Sequence, residues 1–393
     1  MVSKRLIIPS LVISQLLTAI PVLITSLLLI EISQSYAVEV GVVGQVRTVA
    51  SAVSVVTGLA MAGLSVKYGQ KALLIAGLGL MCVSAISSSA APTLWLLLAA
   101  FALYGIGRAM IRPTNYALVG KLFSVQERPK FVSYNIIGIA SAYLIGSTIT
   151  GVIGDWRLVF LFFVLPTALL SFVLVMFSIP TADTKTERLA PSQQDYLHAY
   201  RGVLSNKSVL ACLIGNVCAI ITQNVVFVSY VSSFLRYTYL VDTAYVSVVF
   251  ASMALITIIG SLIGGRIAHR VGRKRLTVFT AVLIGGSAIT FMNIIHLGAS
   301  LVCLAVGGFT MGIKNTTYNS LALEQIPEYR GTMMSLSEVS RYVAQSVGNG
   351  IGGLILITSN YQILGLVLGI FAIIASMIFQ FFTIDPTKGS DTL

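Results

Sequence analysis

Long apolar runs separated by short polar breaks make up almost the whole chain. Crossing a hydrocarbon layer takes about 20 mostly apolar residues in helical form. Twelve runs meet that length and predict helices α1–α12 at 6–30, 40–64, 71–90, 94–121, 131–153, 158–179, 208–235, 242–265, 275–296, 299–323, 331–357 and 360–383. The one long polar stretch, Thr181 to Lys207, contains Pro191, Asp195 and the group Lys185, Glu187, Arg188. Six predicted helices precede it and six follow. The pattern predicts an all-α membrane protein: twelve transmembrane helices in two pseudo-symmetric six-helix bundles, 1–180 and 208–393, joined by a central cytoplasmic loop, 181–207.

The basic residues orient these helices. With both termini inside, 18 of the 25 Lys and Arg fall in cytoplasmic segments and only Arg157 and Arg236 outside. That is the distribution of the positive-inside rule. The two halves also repeat. A shift of 202 carries Thr114-Asn115-Tyr116 onto Thr316-Thr317-Tyr318, Arg128 onto Arg330, Ser133 onto Ser335 and Gly146 onto Gly348; a shift of 203 carries Gly69 onto Gly272. Six-helix internal repeats are characteristic of secondary transporters, which hold substrate near the midplane between them.

Composition changes the picture only by narrowing it. The 393 residues are 56% hydrophobic and 10% charged, with mean hydropathy +0.92, so lipid is the expected solvent. The net charge of +12 would suggest nucleic acid for a soluble chain; here it follows from cytoplasmic loops, and no nucleic-acid partner is expected. The first apolar run lacks a small-residue cleavage site and is read as a retained helix. Cys82, Cys212, Cys218 and Cys303 lie in apolar runs without C-x-x-C spacing, and His198, His269 and His296 are scattered, so neither metal nor cofactor is expected.

Four short motifs carry a family resemblance. The segment between α8 and α9, Gly265-Arg-Ile-Ala-His-Arg-Val-Gly-Arg-Lys274, resembles the G-x-L-A-D-R-x-G-R-K signature of the major facilitator superfamily. Leu64-Ser-Val-Lys-Tyr-Gly-Gln-Lys71 is similar to a decayed copy between α2 and α3. Gly154-Asp-Trp-Arg-Leu-Val-Phe160 resembles the family's W-R-x-x-F segment, and Pro327-Glu-Tyr-Arg-Gly331 its P-x-x-R-G loop. The resemblance implies a gating role for Gly69, Lys71, Gly265, His269, Arg270, Gly272, Arg273 and Lys274. In the family the loop latches the halves through an acid; Val66 and His269 stand at that position here. The chain also departs from the proton-coupled drug exporters it otherwise resembles. Gly146-Ser147 replaces a Gly-Pro, Gln15 and Thr18 occupy the depth of a carboxylate in α1, and Phe101 stands where an arginine would precede Gly105.

A charge at the bilayer centre costs about 2.5–3.5 kcal/mol on insertion scales, so such residues face a cavity or a partner. Arg47, Arg108, Arg112, Lys314 and Arg341 fall within predicted helices, whereas Glu338 is the acid well inside one. On α4, Tyr104, Arg108, Arg112 and Asn115 share a stripe, and the repeat maps Arg112 onto Lys314 of α10. The excess of cations points to an anionic substrate, gripped by arginine forks and a lysine point charge. Gln15 of α1 and Asn216, Gln223 and Asn224 of α7 extend the candidate site, with interhelical packing as the alternative role. Glu338 and Arg341, three residues apart, predict a local ion pair or a proton-coupling site. Arg47 is expected to snorkel to the outer interface or to make an interhelical contact.

No G-x-x-x-x-G-K-[ST] loop is present, and the charge-poor helices offer no cluster of acids and histidines for a membrane enzyme. The sequence therefore predicts a non-enzymatic secondary active transporter, monomeric, in the cytoplasmic membrane. It would move a small organic anion or amphipathic metabolite or drug by alternating access, with a co-transported ion or proton. The alternative is a proton-coupled multidrug antiporter whose arginines are structural.

Overall fold

The computed structural model of the protein describes residues 4–123, 128–179 and 200–385. Most of the predicted central loop, with Lys185, Glu187, Arg188, Pro191, Asp195 and His198, lies outside the described residues, as do Lys388 and the side chains of Val66, Arg128, Lys130 and His269. The described part is helical throughout and contains twelve spans. Unbroken helices form α2 (Val40–Tyr68), α3 (Gln70–Ser89), α4 (Leu94–Leu122), α5 (Arg128–Ile153), α8 (Thr243–Val271), α9 (Arg273–Asn293), α10 (Leu297–Gln325), α11 (Arg330–Thr358) and α12 (Tyr361–Phe382). The chain is a multi-pass membrane protein of the twelve-helix kind.

Three spans are not the continuous helices that apolar periodicity predicts. α1 is broken into Lys4–Leu17, Ile20–Leu27 and Leu29–Ser35. Pro21 explains the first break: it has no N–H to give to the carbonyl four residues back, and its ring crowds that carbonyl. α6 (Trp156–Ser178) widens into a π turn at Phe160–Val164, directly before Pro166. α7 runs from Lys207 through a π turn at Val225–Ser229 and a break at Tyr230 to Tyr239. The polar stretch before α7 is also shorter than its composition suggests, because residues 200–205 are helical and Asn206 caps α7 through the N–H groups of Ser208 (3.0 Å) and Val209 (3.3 Å).

The internal repeat is written into the backbone irregularities. Leu28 of α1 and Tyr230 of α7, 202 residues apart, break their helices with similar geometry (φ −104°, ψ 29° and φ −116°, ψ 3°). Ala37 and Leu240, 203 apart, end the same two helices in the left-handed region at φ 53° and 55°. Gly69 and Gly272 turn the chain at φ 75° and 96°, a region open to glycine without a Cβ clash.

The chain divides into two compact units. The first comprises 1–38, 45–193 and 243–251, and the second 39–44, 194–242 and 252–393. Inside the first, α3 packs on α4 and α6, and α1 on α5 and α6. Inside the second, the repeat equivalents do the same: α9 packs on α10 and α12, and α7 on α11 and α12. Cores of mixed aliphatic and aromatic side chains fill each unit, for example Val209, Cys212, Leu321, Met333 and Phe379 in the second.

Candidate functional site

In the first unit, α4 is fixed against α1 at two levels. The Tyr104 hydroxyl donates to the carbonyl of Thr18 (2.7 Å), in the broken turn of α1. One end of the helix away, the Asn115 amide donates to Ser14 Oγ (2.8 Å) and the Leu11 carbonyl (3.3 Å). Arg108 and Arg112 lie between these anchors on α4, and Gln15 lies at the same depth on α1. Gln15 is fully buried beside Gly138 of α5, and its amide makes no hydrogen bond to the described residues.

α2 approaches α4 closely enough to reach Arg108. A Cβ at Gly105 would collide with the Ala50 carbonyl oxygen, so glycine is required there. Ser54 closes the contact by donating to the Gly105 carbonyl (2.9 Å). Arg108, 4% exposed, then points Nη2 at Ser54 Oγ (3.3 Å) and Ser51 Oγ (3.5 Å), with its guanidinium 5.4 Å from the Tyr104 ring centre. Arg112, one turn on, is half-buried.

Arg47 does not snorkel. It is 5% exposed, and its Nη1 donates to Ser26 Oγ of α1 (2.8 Å), so the interhelical contact is the one that forms. Depth along a helix indicated an outer position for this residue, but the serine that holds it comes from a neighbour that depth does not specify.

In the second unit, Lys314 of α10 is completely buried. Its Nζ donates to Asn216 Oδ1 of α7 (2.7 Å) and sits 5.0 Å from the Tyr318 ring centre. Asn216 donates in turn to Ser340 Oγ of α11 (3.3 Å), and the Tyr318 hydroxyl meets Ser337 Oγ (3.1 Å). Glu338 and Arg341, both partly exposed, pair at 3.5 Å. Gln223 and Asn224 are buried where α7 enters its π turn; the Asn224 carbonyl accepts from Ser229 Oγ (2.9 Å), which also meets Asn349 Oδ1 (2.5 Å). The structure thus brings Lys314 and Asn216 together, while Gln223 and Asn224 sit about two and more turns further along α7.

The loop motifs are tied down differently in the two units. Lys71 Nζ donates to the Met176 carbonyl near the end of α6 (3.1 Å). Arg273 pairs with Glu324 of α10 at 3.6 Å, and Arg330 pairs with the same carboxylate at 3.2 Å. Glu324 thus supplies an acid to a loop whose own acid position holds His269. Lys274 N–H approaches Asp385 Oδ2 at 3.4 Å, Arg270 is exposed, and a Cβ at Gly265 would meet Thr316 only at ordinary contact distance.

The family model of the Major Facilitator Superfamily matches residues 11–349 and, a second time, 212–393. The chain belongs to the Major Facilitator Superfamily. It is 22% identical over 298 residues to the MFS-type transporter YceJ of Bacillus subtilis, covering 74% of each chain. It is 28% identical over 188 residues to the sphingosine-1-phosphate transporter SPNS2 of Xenopus tropicalis, covering 46% of this chain and 36% of that one. A D-xylose–proton symporter has a similar fold, with TM-score 0.78, 15% identity and coverage of 97% of this chain and 98% of that chain. As a Major Facilitator Superfamily member the chain is a small-molecule transporter and not an enzyme.

Proposed function

We propose that this Major Facilitator Superfamily protein carries a small organic anion or an amphipathic anionic metabolite by alternating access. The observation that carries the reading is the set of arginines in the spanning part of the first unit. Arg108 is buried with serine hydroxyls at its Nη2, and Arg112 follows one turn on, half-buried. A fixed positive charge in a low-dielectric span favours a negative ligand beside it. The partial likeness to SPNS2, whose named cargo bears a phosphate, supports the same chemistry.

In this reading Arg108 and Arg112 contact the anion, and Tyr104, Asn115 and Gln15 shape the α1–α4 wall beside them. Lys314 and Asn216, with Gln223 and Asn224, form the polar interior of the second unit. Glu338 and Arg341 are the proton-coupling pair, and the loops around Gly69–Lys71 and Gly265–Lys274 act in gating. The protein works as a monomer in the cytoplasmic membrane, with both termini cytoplasmic and domains at 1–180 and 208–393 joined by 181–207.

A second reading draws on the hydroxyl and ring contacts of Arg108, which suit a structural arginine in a proton-coupled multidrug exporter. Thermal stabilisation of the purified protein separates the two. Organic anions that stabilise wild type but not Arg112→Gln support the anion carrier. Stabilisation by lipophilic cations alone, unchanged in that variant, supports the exporter.

A further inference from the structure

Of the five cations placed within the spans, four are arginines (Arg47, Arg108, Arg112 and Arg341) and one is Lys314. The difference is chemical. A guanidinium keeps its proton in a protein, whereas an ammonium can release one. At the position that the repeat matches to Arg112, the second unit therefore holds a group able to change its charge. The surroundings of Lys314 accept both of its forms. It is completely buried, and Nζ donates to Asn216 Oδ1 (2.7 Å). Asn216 is itself held by its donation to Ser340 Oγ (3.3 Å), which keeps its amide oxygen turned to the lysine. An ammonium carries three N–H donors. Among the described residues Asn216 is the acceptor that Nζ reaches, the Tyr318 ring centre lies 5.0 Å away, and no carboxylate pairs with the lysine. An amine keeps the bond to Asn216. Loss of a proton thus sacrifices no hydrogen bond, and it removes the cost of holding a charge away from water. The ionisable groups around the lysine come from three helices: Cys212 of α7, Tyr318 of α10, and Glu338 with Arg341 of α11, which pair with each other at 3.5 Å. α9 and α8 meet α10 here through hydroxyls, Thr277 at Thr317 (3.1 Å) and Ser261 at the Gly312 carbonyl (3.2 Å). All of these residues belong to the second unit.

We propose that Lys314 is a proton-binding site of the transport cycle, an ammonium in one stage and an amine in another, with Asn216 as its fixed hydrogen-bond partner. On release the electron pair of the broken N–H bond stays on Nζ, and the proton passes to water. The inference does not depend on which solute is carried. It places a proton on a residue other than the Glu338–Arg341 pair, and it does so without a carboxylate.

The test follows the ¹⁵N signals of lysine Nζ in the purified full-length protein, labelled at lysine and held in lipid nanodiscs, from roughly pH 5 to pH 9. The Lys314 signal is the one missing from Lys314→Arg or, should that variant not fold, from Lys314→Met. It should move between the ammonium and amine positions within this range, while lysines in water, which titrate at about 10.4, stay ammonium throughout. Asn216→Asp sets a carboxylate at Nζ and should hold Lys314 as the ammonium over the whole range. Glu338→Gln should leave the Lys314 titration in place. A Lys314 signal fixed in one form from end to end would overturn the proton site and leave the Glu338–Arg341 pair as the coupling group. A titration that disappears in a folded Glu338→Gln protein would overturn it as well, since the proton would then belong to that pair. A titration unchanged in Asn216→Asp would show that the signal does not report the amine described here, and would overturn the assignment.

Discussion

α4 and α10 occupy the same place in the two repeats and carry cations at matching positions, Arg112 and Lys314, yet each unit treats its cation differently. Arg112 is half-buried and lies one turn from Arg108, whose Nη2 is directed at the hydroxyls of Ser51 and Ser54. Lys314 is sealed, with Asn216 at its nitrogen and Tyr318 beneath it, and its unit places the acid Glu338 against Arg341. One repeat keeps a half-buried arginine beside a buried one. The other distributes its charge into a buried lysine network and a pair of opposite sign. Pseudo-symmetry of backbone therefore does not carry pseudo-symmetry of chemistry, and the first unit is the better place to look for contact with an anion.

The contrast can be broken most forcefully at Arg112. Arg112→Gln should weaken binding of the transported anion by about 10–100-fold, the scale of a lost charged hydrogen bond of ~1.5–3 kcal/mol, with thermal stability nearly unchanged. Uptake into proteoliposomes and thermal unfolding read the two quantities separately. Unaltered uptake would place the substrate contact elsewhere.

The sealed lysine predicts the opposite balance. Asn216→Ala removes the acceptor at Lys314 Nζ and should destabilise the protein by about 1–3 kcal/mol, because a buried donor is left unmet. Lys314→Met, which takes away the charge together with its need for a partner, should restore most of that loss in the double variant. Additive losses in denaturant unfolding would show that the pair is not coupled.

Closing the α2–α4 approach offers a milder test of how the arginines are positioned. Gly105→Ala places a methyl against the Ala50 carbonyl and should cost about 1–3 kcal/mol by overpacking. It should also lower anion affinity by loosening the Ser51 and Ser54 contacts to Arg108. An affinity equal to wild type would mean that those hydroxyls do not set the site.

The smallest expected effect lies far from any site. Leu240 is exposed and held at φ 55°, where a Cβ costs roughly 1–2 kcal/mol, so Leu240→Gly should be neutral or stabilising by up to about 1 kcal/mol. The same exchange inside a regular helix would cost that much. A clear destabilisation would show that the Leu240 side chain matters more than its backbone.

Much of the fold was legible because hydrocarbon imposes a length and a hydropathy on every span, and because basic loops and Gly69/Gly272 mark the turns. The interruptions were not. Apolar periodicity ran straight through Thr18, Leu28 and the Val225–Ser229 turn, since a break in a membrane helix need not change composition. Pro21 was the one local clue to any of them. At the site, Arg108, Arg112, Lys314 and Asn216 stood out because polar groups are rare in such runs. Their partners did not: Ser26, Ser51 and Ser54 are common small residues, and only three-dimensional proximity distinguishes them. For the same reason the sequence left Arg47 open between snorkelling and an interhelical contact, and the contact with Ser26 is the one that forms.

The matched interruptions at Leu28 and Tyr230, and at Ala37 and Leu240, also bear on how the two halves carry their common plan. Leucine and tyrosine share little, and neither alanine nor leucine favours a left-handed turn, yet each pair adopts one geometry. What the halves hold in common at these points is a shape, not a spelling. An alignment of letters between residues 28 and 230 would score as a mismatch, while a comparison of torsion angles would score as a near match. For this chain, kinship between the halves is better traced through the path of the backbone than through the alphabet laid along it.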